Sequence, residues 1–175
     1  MFTDPARMAD GVELIATSLG EEVPALAGDV VAEQAAAYAE EVRAADQAIE
    51  EELSAIPADR RVLVTNHEVF AYFADRYDFE VVGTVIPSAT TLAEPSSQEL
   101  SELAEVIDEN DVPAIFADAS SPTDLADALA EESGLDVEVV ALFTESLGEP
   151  GSGAETYLDM ITSNSADITA ALSGS

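Results

Sequence analysis

The chain has 175 residues, of which 37 are Asp or Glu and only five are basic, so its formal net charge at pH 7 is −32. A surface with this charge repels phosphate groups, which excludes nucleic acid as a partner and disfavours anionic membrane surfaces. The chain has no cysteine, which excludes disulfides, a thiolate nucleophile and Cys-ligated zinc. All five basic residues are arginine, which excludes Schiff-base chemistry on lysine.

The apolar content predicts a folded protein in spite of this charge. Hydrophobic residues make up 47% of the sequence, which is too much for a disordered acidic tail. The length suits one domain or slightly more. The acidic balance is typical of a heavily hydrated surface suited to high salt, because screening relieves the self-repulsion of like charges. An acidic field that concentrates divalent cations is compatible with the same composition.

The first residues contain no pattern of a signal peptide or a membrane span. Residues 1–20 include Asp4, Asp10 and Glu13 and no continuous apolar core. We therefore expect either a cytoplasmic protein or a chain whose natural start lies upstream.

Two helices are predicted before Pro57. The first begins after Asp4, which suits an N-cap, with Pro5 at the first helical position, and runs to Leu19. A linker over residues 20–28 follows. The second helix is predicted over 29–56, and at 1.5 Å per residue it would span roughly 40 Å. A helix of this reach either braces two bodies or forms a coiled coil.

After Pro57 short apolar strands alternate with helices. Strands are predicted over 61–65, 80–86, 112–117 and 137–143, and helices over 68–76, 96–110, 121–134 and 154–172. This alternation predicts an α/β fold, a three-layer Rossmann-like domain with a four-stranded parallel sheet, preceded by the long bracing helix. We accordingly divide the chain into N-terminal helices (1–57) and an α/β lobe (58–175).

Polar side chains follow three of the predicted strands. His67 follows the first strand, Asp118 the third and Glu145 the fourth, and the carboxyl ends of parallel strands are where open sheets bind ligands. An imidazole and carboxylates suit a divalent cation such as zinc or manganese. The alternatives are that His67 is a capping or loop residue and that Asp118 is a solvated loop end or a helix-capping contact.

Catalytic alternatives have less support in the sequence. His67 with a Ser or Thr and a carboxylate would make a hydrolase triad, but no G-x-S-x-G motif is present to carry the nucleophile. A carboxylate pair for glycoside hydrolysis is uninformative in a chain so rich in carboxylates.

Several segments together resemble a known family. Residues 62–77, a strand ending at His67 and an aromatic-rich helix, are similar to the start of the C-terminal lobe in zinc/manganese-type solute-binding proteins of ABC importers, the TroA-like receptors. Residues 94–100, 114–118 and 141–146 follow in that family's order and spacing. Residues 29–56 resemble the long helix that braces the two lobes, so the likeness covers nearly the whole chain.

The resemblance implies a set of metal ligands. His67 stands at the position of one ligand, and Glu145 stands where the family usually has the Asp that supplies another. Phe2 to Pro5 matches the end of the family's Pro-His-x-Trp-x-Asp-Pro segment. The ligating His of that segment would therefore precede Met1, and we expect the N-terminal lobe to be missing from this chain.

The implied function is metal capture without catalysis. The chain would bind Zn²⁺ or Mn²⁺ as a transported ligand, use no organic cofactor, and deliver the ion to the permease of an ABC importer outside the cytoplasm. Its uncovered helices would favour self-association through the long helix. The rival hypothesis is a stand-alone acidic α/β interaction module without metal, and an α/β hydrolase is a distant third.

Overall fold

The chain folds into six α-helices and a four-stranded sheet within the part that is described, residues 2–26, 28–85, 96–120, 123–144 and 146–174 of a computed structural model. The helices are α1 (Pro5–Glu22), α2 (Asp29–Leu53), α3 (Ala71–Tyr77), α4 (Ser97–Glu109), α5 (Asp124–Ser133) and α6 (Tyr157–Ser173). The strands are β1 (Val62–Thr65), β2 (Glu80–Thr84), β3 (Ala114–Asp118) and β4 (Glu138–Leu142), and short 3-10 turns cover Pro24–Leu26 and Ala58–Arg60.

All strand pairs are parallel, in the order β2-β1-β3-β4. Residues alternate between the two faces of the sheet. Leu63 and Phe116 pack on one face with α3, α6 and the C-terminal part of α2, while Val64 and Ile115 pack on the other with α4 and α5. The predicted three-layer α/β fold with a four-stranded parallel sheet is therefore confirmed.

Predicted caps agree with the observed helix starts. The Asp4 carboxylate accepts a hydrogen bond from the Arg7 backbone N–H at 3.0 Å, and Pro5 opens α1. Ser96 and Glu99 form a reciprocal capping box at the start of α4.

Other boundaries differ from prediction by a few residues. The second helix ends at Leu53, not at Ile56, because the Ile56 N–H bonds to the Leu53 carbonyl in a tightened last turn. The helix predicted from Glu68 begins at Ala71. The predicted end of the second strand at Ile86 and the predicted helix start at residues 121–122 lie outside the described residues.

The N-terminal helices form a hairpin with a small core. Ala9, Ala39 and Val42 are its fully buried apolar residues. The Arg43 guanidinium joins the two helices through Glu13 at 2.7 Å and Asp10 at 3.0 Å. Other apolar residues of the hairpin lie outside this core, since Leu14 is 68% exposed and Ile15 is 61% exposed.

The middle of α2 is bonded to α3 by a buried carboxylate. Asp46 accepts hydrogen bonds from Arg76 at 2.7 and 3.1 Å and from the Tyr77 hydroxyl at 2.8 Å. Burial, and then the hydrogen bond to Asp46, raises the pKa of Tyr77, so the hydroxyl keeps its proton. This junction joins the hairpin to the helix that follows the His67 loop.

None of the helices within the described residues combines the length and the apolar character needed to cross a membrane.

Candidate metal centre

His67 lies directly beyond the sheet, at the carboxyl end of β1. The Asn66 N–H bonds to the Phe116 carbonyl at 2.8 Å, which extends the β1–β3 pairing by one residue. The His67 carbonyl then accepts hydrogen bonds from the Val69 N–H at 2.8 Å and from the Thr65 hydroxyl at 3.0 Å. This tight turn delays the start of α3 and leaves His67 partly exposed at the edge of the sheet.

Asp118 is the last residue of β3, and its carboxylate points into the protein. It is only 2% exposed. Its Oδ1 accepts hydrogen bonds from the Ser120 backbone N–H at 2.8 Å and from the Ser120 hydroxyl, and its Oδ2 accepts from the Thr144 hydroxyl. Burial raises the pKa of Asp118, but these hydrogen bonds outweigh it and hold the pKa below its usual value. Asp118 is therefore a buried, ionised group committed to protein donors, not a solvated loop end.

The loop after β4 carries Glu145, which lies outside the described residues, so its role as a ligand stays a prediction. The residues before it are well defined. Asn164 of α6 bonds to both polar atoms of the Phe143 backbone, accepting from its N–H at 3.0 Å and donating to its carbonyl at 2.8 Å. Thr144 is buried beside Asp118. The position of Glu145 in the sequence therefore directly follows a segment that two side chains hold.

The residues before α1 contact both loops. The Thr3 hydroxyl donates to the Val69 carbonyl at 3.1 Å, close to His67, and the Tyr157 hydroxyl donates to the Phe2 carbonyl at 3.0 Å. Phe2 also lines a cavity of about 190 Å³ together with residues of the loop after β4 and of α6, namely Thr144, Ser146, Leu147, Tyr157 and Met160. The N-terminal segment thus lies at the same edge of the sheet as the His67 turn and Thr144.

Two polar residues at this edge of the sheet, Thr3 and Asn164, have no role predicted from the sequence. Asn164 had an available signal, because it stands between Ile161 and Ile168 on the buried face of α6, where an amide requires partners. Thr3 lies in the Phe2 to Pro5 segment that resembles the family's motif, but no local pattern predicts its hydrogen bond to a backbone carbonyl far along the chain.

The described residues do not by themselves make a complete metal centre. Within them, no group of three or more His, Asp or Glu side chains is placed to hold an ion. One imidazole at the edge of a sheet can bind a cation only together with further ligands.

Comparison with known proteins identifies the family. The family described as zinc-uptake complex component A, periplasmic (ZnuA), matches residues 1–171. The chain belongs to this family. The ZnuA family consists of metal-uptake components and not of enzymes, and the resemblance inferred from residues 62–77 is confirmed.

Individual relatives bind different metals. The chain is 36% identical over 140 residues to the zinc-binding protein TroA of Treponema pallidum, covering 78% of this chain and 45% of the relative. It is 30% identical over 153 residues to the manganese-binding lipoprotein MntA of Halalkalibacterium halodurans, covering 87% of this chain and 50% of the relative. The chain thus spans about half the length of these curated relatives.

The fold agrees with that of a solved structure. The periplasmic zinc-binding protein TroA of Treponema pallidum superimposes with a TM-score of 0.85 at 31% identity, over 98% of this chain and 62% of that structure.

Proposed function

We propose that this chain is the metal-capturing C-terminal lobe and bracing helix of a ZnuA-family receptor, which binds Zn²⁺ or Mn²⁺ outside the cytoplasm and delivers it to the permease of an ABC importer. It performs no catalysis and uses no organic cofactor. The observation that carries the proposal is the family match across residues 1–171 combined with the placement of the only histidine at the ligand-binding edge of the sheet.

His67 and Glu145 supply the ligands in this proposal. The imidazole nitrogen of His67 favours zinc over manganese, whereas a carboxylate suits both ions. Glu145 stands where the TroA-like receptors usually have Asp, so its side chain is longer by one methylene group. Zinc prefers four ligands, and two protein ligands leave the other positions to water or to residues outside this chain.

The N-terminal segment lies beside the proposed site. Thr3 bonds to the His67 loop and Phe2 to α6, so the residues that precede α1 border the ligand-binding edge of the sheet. We propose a functional division after Pro57, in which residues 1–57 contribute this segment and the bracing helix and residues 58–175 contribute His67 and Glu145.

Zinc titration by calorimetry tests the proposal. We expect weak but measurable binding by the parent chain, with a loss of at least about tenfold in affinity for His67→Ala and for Glu145→Gln. Glu68→Gln and Glu149→Gln are matched controls, because each removes a carboxylate within four residues of a proposed ligand. The titration requires high salt, where loose binding by surface carboxylates is screened.

Acidification should abolish the same signal. Only a neutral imidazole binds a metal ion, so we expect zinc binding that depends on His67 to be lost as the pH is lowered. If His67→Ala and Glu145→Gln bind zinc as well as the controls do, the receptor hypothesis is wrong, and the acidic interaction module without metal takes its place.

We also propose that the chain self-associates through the hairpin. Leu14, Ile15 and Val30 are each more than 60% exposed and lie on the two hairpin helices. The apolar residues Val42, Ile49 and Leu53 of α2 are buried, so the available apolar surface is mainly on α1. Such a surface favours a symmetric dimer.

Sedimentation in high salt tests this association, because the acidic residues around the hairpin repel each other in dilute buffer. We expect a dimer at tens of micromolar for the parent and a monomer for the Leu14→Ser, Ile15→Ser double variant. Leu135→Ser removes an exposed leucine after α5 and should leave the dimer intact. A monomeric parent would exclude the proposed dimer.

A further inference from the structure

We propose that Asp118 and Asn164 are positioning residues, which hold Phe143 and Thr144 at the end of β4 and thereby raise the affinity of the proposed metal site. The inference rests on the proposed function, since it takes Glu145 as a ligand. Neither residue is assigned a ligand role, and neither needs to touch the ion.

Asn164 compensates for a missing neighbour strand. β4 is an edge strand and pairs only with β3 in the described sheet. Phe143 directly follows β4, and its N–H and carbonyl groups both bond to the side chain of Asn164, at 3.0 and 2.8 Å. A single primary amide can satisfy one donor and one acceptor in this way because it carries both. The backbone at Phe143 is therefore fixed from the α6 side.

Asp118 holds the next residue from the opposite side. The Thr144 hydroxyl donates to Oδ2 of Asp118, and both groups are buried. The Ala119 N–H bonds to the Leu142 carbonyl at 2.8 Å, so the ends of β3 and β4 stay paired one residue beyond Asp118. Oδ1 of Asp118 is engaged by Ser120. With both oxygens accepting from protein donors, Asp118 orients Thr144 and does not serve as a ligand.

These two contacts act on consecutive residues immediately before Glu145. Asn164 and Asp118 come from different elements, α6 and β3, so Phe143 and Thr144 are fixed from two directions. A ligand on a fixed backbone loses less freedom when it binds a metal than one on a loose loop. Groups that orient metal ligands typically contribute 10- to 100-fold to metal affinity.

Thr144 allows the sharpest test, because valine has the same shape without the hydroxyl. We expect Thr144→Val to weaken zinc binding about tenfold or more, and Thr144→Ser, which keeps the hydroxyl, to retain the parental affinity. Thr17→Val is the matched control, since it removes an exposed hydroxyl that donates to the Glu13 carbonyl within α1. Asn164→Asp keeps the acceptor for the Phe143 N–H and loses the donor to its carbonyl, and we expect it to weaken zinc binding as well.

Amide hydrogen exchange of the metal-free chain provides a second measurement. Thr144→Val and Asn164→Asp should speed exchange at Phe143 and Thr144 while leaving the core amides of β3 unchanged, which also shows that the variants are folded. If exchange and zinc affinity both stay at the parental level while His67→Ala removes binding, the positioning role is wrong and the proposed function stands. If zinc binding by the parent does not depend on His67, the proposed function fails and the positioning role fails with it.

Discussion

The hairpin of α1 and the first half of α2 is held together differently from the α/β body on which it stands. The hairpin core consists of Ala9, Ala39 and Val42. The body has a core on each face of its sheet, with large side chains such as Phe116 and Ile115 that are almost wholly buried. The stabilisation from apolar packing is roughly proportional to the apolar area buried, so the body gains more from its core than the hairpin does, and the hairpin relies more on other contacts.

Arginine supplies much of what the hairpin lacks. Arg43 joins α1 to α2, Arg76 joins α2 to α3, and Arg7 joins α1 to α3 through Asp75 at 2.7 Å. The Arg61 guanidinium donates to carbonyls at the end of α2 and to the Tyr77 carbonyl. No basic residue follows Arg76 in the sequence. Ion pairs thus join the N-terminal helices to each other and to α3, whereas the chain beyond Arg76 has no basic side chain to pair with its carboxylates.

The largest expected effect comes from the core of the body. Phe116→Ala removes an almost fully buried ring from the centre of the sheet and should cost about 3–5 kcal/mol of unfolding free energy. Val42→Ala in the hairpin core should cost about 2 kcal/mol at most. Urea unfolding measures the free energy lost in each variant. Equal losses would contradict the difference between the hairpin core and the core of the body.

Breaking the junction between the two regions should have the next largest effect. Asp46→Ala leaves Arg76 and the Tyr77 hydroxyl without their buried acceptor, and we expect a loss of about 2–3 kcal/mol. Glu50→Ala removes only the exposed acceptor of Arg76 and should cost about 0.5 kcal/mol or less. Hydrogen exchange should show faster opening of the hairpin in Asp46→Ala, and unchanged exchange there would mean that the hairpin stands without this junction.

Salt should change the stability of the two regions differently. In the body, screening relieves repulsion between carboxylates, so the melting temperature should rise between low salt and about 1 M potassium chloride. In a chain of this length the rise should be roughly 2–4 °C for each kcal/mol of repulsion that is relieved. In the hairpin, the same salt weakens the ion pairs of Arg43, so its amides should gain less protection than those of the sheet. A melting temperature that does not change with salt would show that the acidic surface is compensated locally and that the chain is not suited to high salt.

Acid should produce the smallest effect, at the start of α4. Hydrogen bonds from the Ser96 backbone N–H and then from its hydroxyl lower the pKa of Glu99. A carboxyl whose pKa is lowered by folding stabilises the fold above its unfolded pKa, near about 4.3, and loses this contribution as the pH falls through the lower folded value. The stability difference between the parent and Glu99→Gln should therefore shrink below about pH 4. A difference independent of pH would contradict the capping box.

Local sequence patterns were enough to predict the fold, whereas contacts between residues far apart in the sequence could be identified only from the structure. Asp4 and the Ser96–Glu99 pair mark helix starts because a cap involves residues close in sequence. The prediction that a helix begins at Glu68 is wrong, because the His67 carbonyl accepts hydrogen bonds from the Val69 N–H and the Thr65 hydroxyl. The sequence pattern cannot reveal such competition for one carbonyl.

The candidate site divides in the same way. The alternation of strands and helices in the sequence is enough to predict that His67 and Asp118 lie at one edge of the sheet. The pairing of Asp118 with Thr144 and of Asn164 with Phe143 spans more than twenty residues in each case. No local pattern specifies which buried hydroxyl or amide meets which partner, so these contacts depend on how α6 and the sheet pack.

The placement of the arginines also determines where a protease can act. Trypsin cleaves only after basic residues, and every such residue lies between Arg7 and Arg76, in the helices and their connections. The chain from Tyr77 to Ser175 contains no tryptic site. Because cleavage in a helix requires that helix to open, the rate of cleavage after Arg43 reports the opening of the hairpin. Most of the sheet lies in the segment that trypsin cannot cleave.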